Sequence, residues 1–244
     1  MSDSVAIIIP IYKQTLNLLE QFSLDYLLTK AGGRKLIFIA PRSINADYYR
    51  QRYPAIEYSF HDDHFFSSVA GYNALLLDEK FYEHFLDYSF ILIHQTDALL
   101  FKDDLDAWMH LGYDYIGAPW PQGMLLHLTA ELAEHYKGTQ FHAFVGNGGF
   151  SLRNVQKSID IMQSESGLHK FWRINGLNED CFFAFAGLLT DNFKIPPPTI
   201  AARFALEQTP ADYVAANQGV IPTGCHAWLK YDLAFWQKVI SVVK

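Results

Sequence analysis

A polar triplet that ends an apolar run is the feature of this sequence best suited to chemistry. Gln95, Thr96 and Asp97 follow the segment YSFILIH, residues 88–94, which has the pattern of a buried β-strand. Ligands of open α/β sheets lie beyond the carboxyl ends of the strands, so we expect Asp97 to point into a crevice. A carboxylate there can hold Mg²⁺ or Mn²⁺ while the cation also binds diphosphate oxygens. The alternative role for Asp97 is to cap a turn.

Two further segments supply carboxylates and glycines. Asn178, Glu179 and Asp180 precede the apolar stretch CFFAFAGLL, so they fall at a predicted helix N-terminus. The helix dipole favours negative charge at that position, and capping therefore explains these acids as well as general-base catalysis does. The segment VGNGGFSL, residues 145–152, has three glycines within four residues. Such glycines let the backbone approach a ligand closely, or they form a tight turn into an edge strand.

A histidine close to the C-terminal end completes the candidate set. His226 lies in the segment TGCHAW and could be a last metal ligand through one imidazole nitrogen. Its alternative role is that of a packed, hydrogen-bonded core histidine. The two cysteines, Cys181 and Cys225, have no CxxC spacing, and we expect them to be small buried hydrophobic residues.

Apolar runs alternate with helical patterns through the first hundred residues. The pattern predicts strands at 5–9, 35–40, 56–60 and 88–94, and helices at 16–28, 46–53 and 67–77, the first capped by Thr15. This alternation is typical of parallel strands joined by crossover helices. The first strand–helix turn, PIYKQ, lacks the GxGxxG pattern, which disfavours a dinucleotide cofactor. Beyond residue 101 we predict a helix at 105–111, a strand at 113–116 and irregular loops that shape a substrate site.

Composition narrows the class of protein and its partners. Half of the 244 residues are apolar, which is enough for the core of one α/β domain. The net charge of −7, without a basic run, predicts no nucleic-acid partner and no anionic-membrane partner. No apolar run approaches the length of a membrane span. An acidic start before the apolar residues 5–11 is unlike a signal peptide, and we therefore expect a cytoplasmic protein.

The order of these motifs resembles that of the GT-A glycosyltransferases and, more closely, that of the DUF5672 family. The resemblance rests on residues 5–13, 88–101 and 113–120, the GNGGFSLR segment, the NED triplet and GCHAW. It implies an α/β fold consisting of a single GT-A, Rossmann-like domain with a mixed, mostly parallel central sheet flanked by helices. Residues 1–101 would form a nucleotide-binding half, and residues 102–244 would form an acceptor-binding half.

The same resemblance implies roles for individual residues. Asp97 and His226 would hold a divalent cation, Mn²⁺ or Mg²⁺, against the diphosphate of a nucleotide-sugar donor. Gln95 replaces the first acid of the family's Asp-x-Asp triplet and weakens the charge available to the metal. Asp180, with Glu179, would supply the catalytic base. The donor-binding residues would be Pro10, Tyr12, Lys13, Tyr72, Asn73, Gln95, Thr96 and Asp97, and the acceptor-binding residues would be Trp120, Asn147, Gly148, Gly149 and Trp228.

The function implied by the resemblance is transfer of a sugar to a hydroxyl acceptor, such as a glycan, in surface polysaccharide or glycan synthesis. Asp180 as base predicts inversion at the anomeric carbon, and retention stays open. The missing first acid raises one alternative, a catalytically inactive module that binds sugars or nucleotides. A metal-dependent hydrolase is the other, although the sequence has neither a GxSxG nor an HExxH motif.

Overall fold

The computed structural model describes residues 4–243; the acidic start that bears on the signal-peptide prediction, Met1–Asp3, lies outside them. The strands are β1 (Val5–Pro10), β2 (Lys35–Pro41), β3 (Glu57–His61), β4 (Phe90–His94), β5 (Leu99–Leu100), β6 (Tyr115–His127), β7 (Gln140–Asn154), β8 (Ala205–Leu206) and β9 (Gly224–Cys225). The helices are α1 (Leu18–Lys30), α2 (Asp47–Arg52), α3 (Val69–Leu76), α4 (Glu79–Glu83), α5 (Leu105–Met109), α6 (Ala130–His135), α7 (Val155–Ser164), α8 (Ser166–Ile174), α9 (Glu179–Leu189), α10 (Pro198–Phe204), α11 (Pro210–Ala216) and α12 (Leu233–Val242).

A six-stranded sheet in the order β3-β2-β1-β4-β7-β6 forms the centre of the fold. Strands β3, β2, β1 and β4 are parallel, whereas β7 pairs antiparallel with both β4 and β6. The chain runs outward from β1 through β2 to β3 and then returns to place β4 on the other side of β1. The β1/β4 boundary is thus a topological switch point, the place where open α/β sheets bind ligands. The predicted α/β fold with a mixed, mostly parallel sheet is confirmed.

Burial on both faces explains why the central strands are continuous apolar runs. Every residue of β1 and of β4 is buried, as expected for parallel strands covered by helices on either side. One apolar cluster lies on each face of the sheet. A second, three-stranded sheet in the order β5-β9-β8 packs with α12 in a third cluster. Both Cys181 and Cys225 are buried and unpaired, as predicted.

Several boundaries differ from the sequence-based prediction. Helix α1 begins after Asn17 rather than Thr15, because the Asn17 side chain accepts a backbone N–H from Glu20, whose carboxylate in turn accepts the N–H of Asn17. This capping box satisfies two backbone donors that would otherwise lack partners. Strand β6, predicted to end near Ile116, continues to His127 as a bulged hairpin with β7. The GNGG segment is part of β7 and is not a turn ahead of a strand.

Candidate functional site

One cavity of about 790 Å³ opens at the edge of the sheet where β1 and β4 end. Parallel neighbouring strands place their carboxyl ends at the same edge, so the residues that follow β1 and those that follow β4 face the same space. The N-terminal turns of α1, α3 and α9, the glycine segment of β7 and the end of β9 complete the wall. A volume in this range suits a small-molecule ligand.

Most of the residues predicted from sequence line this cavity together. Asp97, Asp180 and His226, which are far apart along the chain, all lie in its wall. The other predicted residues in the lining are Pro10, Tyr12, Lys13, Tyr72, Asn73, Gln95, Thr96, Asn147, Gly148, Gly149 and Glu179. Residues from both predicted halves of the chain thus contribute to one wall.

Two predicted acceptor-binding residues do not lie in the cavity wall. Trp120 is buried, and its ring fills the space beside Gly146, where an added Cβ would come within 2.4 Å of it. Trp228 is also buried, and its indole N–H donates to the hydroxyl of Ser23 at 2.8 Å. Both side chains pack in the core of the protein, so the prediction that they face an acceptor is wrong. Large aromatic rings suit a core as well as they suit a sugar, and sequence pattern alone does not separate the two.

His226 lies between two carboxylates. Its Nε2 is 3.4 Å from Asp97 Oδ1 and 3.1 Å from Gln95 Oε1, while its Nδ1 is 3.2 Å from Glu207 Oε1. Burial opposes the charged form of this imidazole, but the hydrogen bonds and negative charges of Asp97 and Glu207 outweigh it and raise the pKa of His226 to about 9. The protonated ring in turn outweighs burial at Asp97 and lowers the pKa of that carboxyl.

Strand pairing and a glycine fix the place of this histidine. The parallel pair β8–β9 matches Leu206 with Cys225, so the next residue of each strand, Glu207 and His226, emerge side by side. On the other side of the imidazole lies Gly149, where an added Cβ would come within 2.2 Å of His226 Nε2. Any side chain at residue 149 would therefore displace the ring. The glycine-rich segment serves the site by leaving space for a neighbouring side chain.

The donor atoms around His226 fit a divalent cation that takes further ligands from a substrate. Asp97, Gln95 and His226 offer one carboxylate, one amide oxygen and one imidazole nitrogen at the same point. Glu207 faces the opposite ring nitrogen and does not add to this set. Within residues 4–243, no group of three or more His, Cys, Asp or Glu side chains is arranged to hold a metal ion. Diphosphate oxygens and water would thus fill the remaining positions of a hard cation.

Asp180 and Glu179 have different environments although they are adjacent. The carboxylate of Glu179 accepts from the guanidinium of Arg153 at 2.7 Å, and the side chains of both residues are buried. Among residues 4–243, no cation lies within ion-pair distance of Asp180, which accepts the backbone N–H groups of Cys181 at 2.7 Å and Gly148 at 3.2 Å. Burial, together with the charge of Glu179, raises the pKa of Asp180 to about 7. Of the described carboxyl groups in the cavity wall, Asp180 is therefore the one without an ion-pair partner.

Lys13 is tied to the first helix by a charged hydrogen bond. Its ammonium group donates to Glu20 Oε1 at 2.5 Å, and the hydroxyl of Thr96 donates to the same oxygen at 3.4 Å. The bond to Glu20 outweighs burial and raises the pKa of Lys13, so the cation persists at neutral pH. Glu20 thus joins the turn after β1 to the triplet after β4, the two segments on either side of the switch point.

Helix α3 contributes two polar side chains to the wall. Asn73 is buried, and its amide donates to the Asn178 side chain at 3.1 Å, which links α3 to the start of α9. Tyr72 lines the cavity, and its hydroxyl oxygen is buried without a hydrogen-bond partner among the described residues. A buried hydroxyl in this state is available to a bound ligand.

Three residues that organise the site were not predicted from the sequence. Glu20 had a local signal, because the Asn-x-x-Glu spacing of a capping box is visible in the sequence. Arg153 lies within the GNGGFSLR segment, but no local pattern indicates that it pairs with Glu179. Glu207 follows a strand of two residues, and its position beside His226 results entirely from tertiary pairing.

Comparison with known proteins agrees with the fold. Crystal structures that resemble the chain include mouse xyloside xylosyltransferase 1 in its apo form, with 14% identity, 91% of this chain and 97% of that chain covered, and a TM-score of 0.56. The mannosyltransferase Ktr4p from S. cerevisiae in complex with GDP gives 8% identity, coverage of 76% and 66%, and a TM-score of 0.53. An active-site mutant of LgtC gives 16% identity, coverage of 91% and 86%, and a TM-score of 0.53.

At these identities the likeness shows the fold alone. No curated protein matches the sequence. Across the part of the chain that the structure describes, no helix has both the length and the apolar character needed to cross a membrane. The family described as "Protein of unknown function (DUF5672)" matches residues 55–226, which is more than half of the chain. The chain therefore belongs to the DUF5672 family, and its fold is that of the GT-A glycosyltransferases.

Proposed function

We propose that this protein is a glycosyltransferase that moves a sugar from a nucleotide-diphosphate donor to a hydroxyl acceptor. The observation that carries the proposal is the convergence of Asp97, His226 and Asp180 on one cavity at the switch point of a GT-A fold. That cavity holds groups suited to both ends of the reaction. Asp97 and His226 suit the diphosphate end, and Asp180 suits the acceptor end. The complex of Ktr4p with GDP provides a nucleotide-bound example of this fold.

At the diphosphate end, we assign donor binding to the residues that follow β1 and β4. The Lys13 ammonium lies in the cavity wall and can reach a phosphate oxygen as a point charge. Tyr12, which is 58% exposed, offers an aromatic face to a nucleobase. A divalent cation held by Asp97 and His226, with Gln95, would stabilise the negative charge that develops on the departing diphosphate. His226 must lose its proton before it can act as a ligand.

At the acceptor end, we assign the role of general base to Asp180. Its carboxylate would accept the proton of the acceptor hydroxyl as the oxygen attacks the anomeric carbon, with inversion of configuration. Glu179 keeps its ion pair with Arg153 and positions the start of α9. The backbone N–H groups of Gly148 and Cys181 orient the Asp180 carboxylate. Asn178 lies in the same wall and suits a sugar or acceptor hydroxyl, whereas the amide of Asn147 donates to Glu207.

The rate of transfer is expected to rise with pH through neutrality. A general base acts in its deprotonated form, and the pKa of Asp180 is raised to about 7. Below that pH the value of kcat/KM should fall about tenfold per pH unit, because the fraction of carboxylate falls in the same proportion. A pH profile of kcat/KM at saturating Mn²⁺ measures this. A profile that stays flat from acid to neutral pH would contradict the assignment of Asp180.

Replacing Asp97 by asparagine is expected to remove most of the effect of Mn²⁺ on donor binding. The change keeps the shape of the side chain and deletes the charge that faces the cation. Loss of a residue that hydrogen-bonds to a metal ligand typically costs about 10- to 100-fold in metal affinity. Loss of a direct ligand should lower the Mn²⁺-dependent affinity for the donor by at least as much. Calorimetric titration with and without Mn²⁺ measures the effect. The matched control is Asp106→Asn, which changes an exposed carboxylate that pairs with Arg34 outside the cavity. If Mn²⁺ raises donor affinity equally in the wild type, in Asp97→Asn and in Asp106→Asn, Asp97 is not a metal ligand.

Screening nucleotides and nucleotide sugars tests the proposed function itself. A ligand that binds only the folded state raises Tm by mass action, so UDP, GDP, CDP and their sugars should be compared with and without Mn²⁺. The sugar donor that raises Tm most is then incubated with hydroxyl acceptors, and acceptor-dependent release of nucleoside diphosphate is the expected result. Failure of every nucleotide to bind would refute the proposal.

Gln95 at the first acidic position favours one second candidate, an inactive module that binds nucleotide sugars. This module would raise Tm with the donor and release no diphosphate under any condition. A metal-dependent hydrolase would release free sugar at a rate independent of the acceptor. The configuration of the product is a further test, because retention at the anomeric carbon would remove Asp180 from the role of base for an inverting attack.

On the family resemblance we also propose a place in surface polysaccharide or glycan synthesis, on the cytoplasmic side of the membrane. Residues 1–101 would then bind the nucleotide and residues 102–244 the acceptor. Deleting the gene and comparing the surface glycans of the cells would test the pathway. Unchanged glycans would contradict it.

A further inference from the structure

We infer that Glu207 is a positioning residue that sets the orientation of the His226 ring at the metal-binding point. This inference rests on the proposed function, because it deepens the role of His226. Glu207 is buried, and one of its oxygens is 3.2 Å from His226 Nδ1. The same ring presents Nε2 to Asp97 and Gln95 on the opposite side. Because the Glu207 carboxylate lies beside Nδ1, Nε2 is the nitrogen that faces Asp97 and Gln95.

Hydrogen bonds to neighbouring residues fix the positions of both Glu207 and His226. The second carboxylate oxygen of Glu207 accepts from the side-chain amide of Asn147, a residue of the glycine segment. The backbone N–H of His226 donates to the carbonyl of Leu206 at 3.0 Å, the residue before Glu207. Asn147, Glu207, His226 and Asp97 thus form one chain of polar contacts that runs from β7 through the β8–β9 pair to the end of β4.

This arrangement differs from a simple core ion pair in one respect. A carboxylate that pairs with the far nitrogen of a metal-binding histidine fixes the ring orientation and raises its basicity as a ligand. Glu207 occupies that position, and Gly149 removes the steric barrier on the other side of the ring. Without Glu207, the ring could turn about its χ2 bond, and its Nδ1 would lose a buried partner. Such outer partners typically contribute about 10- to 100-fold to metal affinity.

The test uses the full chain and Mn²⁺ alone as the probe, with affinity followed by the paramagnetic resonance of free Mn²⁺. Glu207→Ala is expected to weaken Mn²⁺ binding by about 10- to 100-fold. Glu207→Gln should weaken it less, because the amide keeps a polar oxygen of the same size beside Nδ1. Asp114→Asn is the matched control: Asp114 is a buried carboxylate that accepts the backbone N–H of Lys194 outside the cavity. Its Mn²⁺ affinity should equal that of the wild type.

Nitrogen NMR of the His226 imidazole provides a readout without metal. The Nδ1 signal should move in Glu207→Ala, should move less in Glu207→Gln and should stay fixed in Asp114→Asn. Wild-type Mn²⁺ affinity in Glu207→Ala, or an unmoved Nδ1 signal, would overturn the inference and leave the glycosyltransferase proposal standing. A wild-type protein that binds Mn²⁺ neither alone nor in the presence of UDP, GDP or CDP would overturn the metal site and this inference together, even if the Nδ1 signal moves.

Discussion

Asp180→Asn is expected to reduce sugar transfer by about 10²- to 10⁴-fold while leaving the protein folded. The range is that of general-base assistance, which the asparagine amide cannot supply. The substitution keeps the size of the side chain and keeps an oxygen that can accept from the backbone N–H of Cys181. Donor affinity should therefore change little, and the loss should appear in kcat. Steady-state kinetics of the variant at saturating donor, beside a donor-binding titration, measure the two quantities separately.

The same variant is expected to be more stable than the wild type at pH 8. The pKa of Asp180 is raised from 3.8 to about 7 in the folded state, so the folded protein binds this proton more tightly than the unfolded chain does. Stability from this group is fully present below pH 3.8 and is lost as the pH rises through 7. At pH 8 the ionised carboxylate thus costs on the order of a few kcal/mol, which a neutral amide avoids. Urea unfolding at pH 8 measures the gain.

Glu131→Gln is the control for both effects. Glu131 is an exposed carboxylate in the first turn of α6, so it shares the helix N-terminal position of Asp180 without the burial and without the cavity. This control should keep full activity and should not gain stability. If Asp180→Asn transfers sugar at the wild-type rate, Asp180 is not the base. A loss of stability at pH 8 would contradict the assignment of its raised pKa.

Arg153→Met is expected to destabilise the protein by about 3–5 kcal/mol, because it leaves the buried carboxylate of Glu179 without its cation. Arg153 is fully buried and donates to Glu179 at 2.7 Å and to the hydroxyl of Tyr82 at 3.0 Å. Its guanidinium also lies 5.2 Å from the ring centre of Tyr115 and 5.4 Å from that of Phe183. Methionine replaces the apolar stem and removes the charge. Urea-unfolding curves of the variant and the wild type measure the difference.

A second variant separates loss of the ion pair from general damage to the core. In Arg153→Met with Glu179→Gln, no charge is left unpaired, so the double variant should recover part of the stability lost in Arg153→Met. The recovery defines the interaction energy of the pair. If the double variant is no more stable than Arg153→Met, or if Arg153→Met unfolds with the wild-type free energy, the ion pair does not hold the start of α9 as proposed.

Local sequence patterns predicted the buried strands and the start of α9, because these features depend on residues that are close together in the sequence. The runs Val5–Pro10 and Phe90–His94 are apolar because both faces of a parallel sheet are covered, and their exits marked the place of Asp97. The NED triplet was predicted at a helix N-terminus, where α9 begins. The first helix was assigned to the wrong cap, because Thr15 and Asn17 are both good N-cap residues and only the Asn17–Glu20 spacing forms a capping box.

The side-chain pairs that were not predicted from the sequence depend on contacts between segments that are distant along the chain. Glu207 meets His226 only because two-residue strands pair in one register. Arg153 meets Glu179 only because α9 packs on β7. Trp120 and Trp228 show the opposite error, since an aromatic residue near a candidate motif was assigned to the site when its ring fills the core. Patterns therefore indicated the edge of the sheet that carries the site, and tertiary packing decided which side chains face it.

If Asp97, His226 and Asp180 form one donor site, a crystal structure with bound nucleotide should show all three around it. The protein should be crystallised with Mn²⁺ and with whichever of UDP, GDP or CDP raises its Tm most. We predict the diphosphate in the cavity at the end of β1 and β4, with Mn²⁺ between its oxygens and the side chains of Asp97 and His226, and with Asp180 facing the space beyond the terminal phosphate. A nucleotide bound outside this cavity, or a diphosphate that touches neither Asp97 nor His226, would show that these residues do not form the donor site.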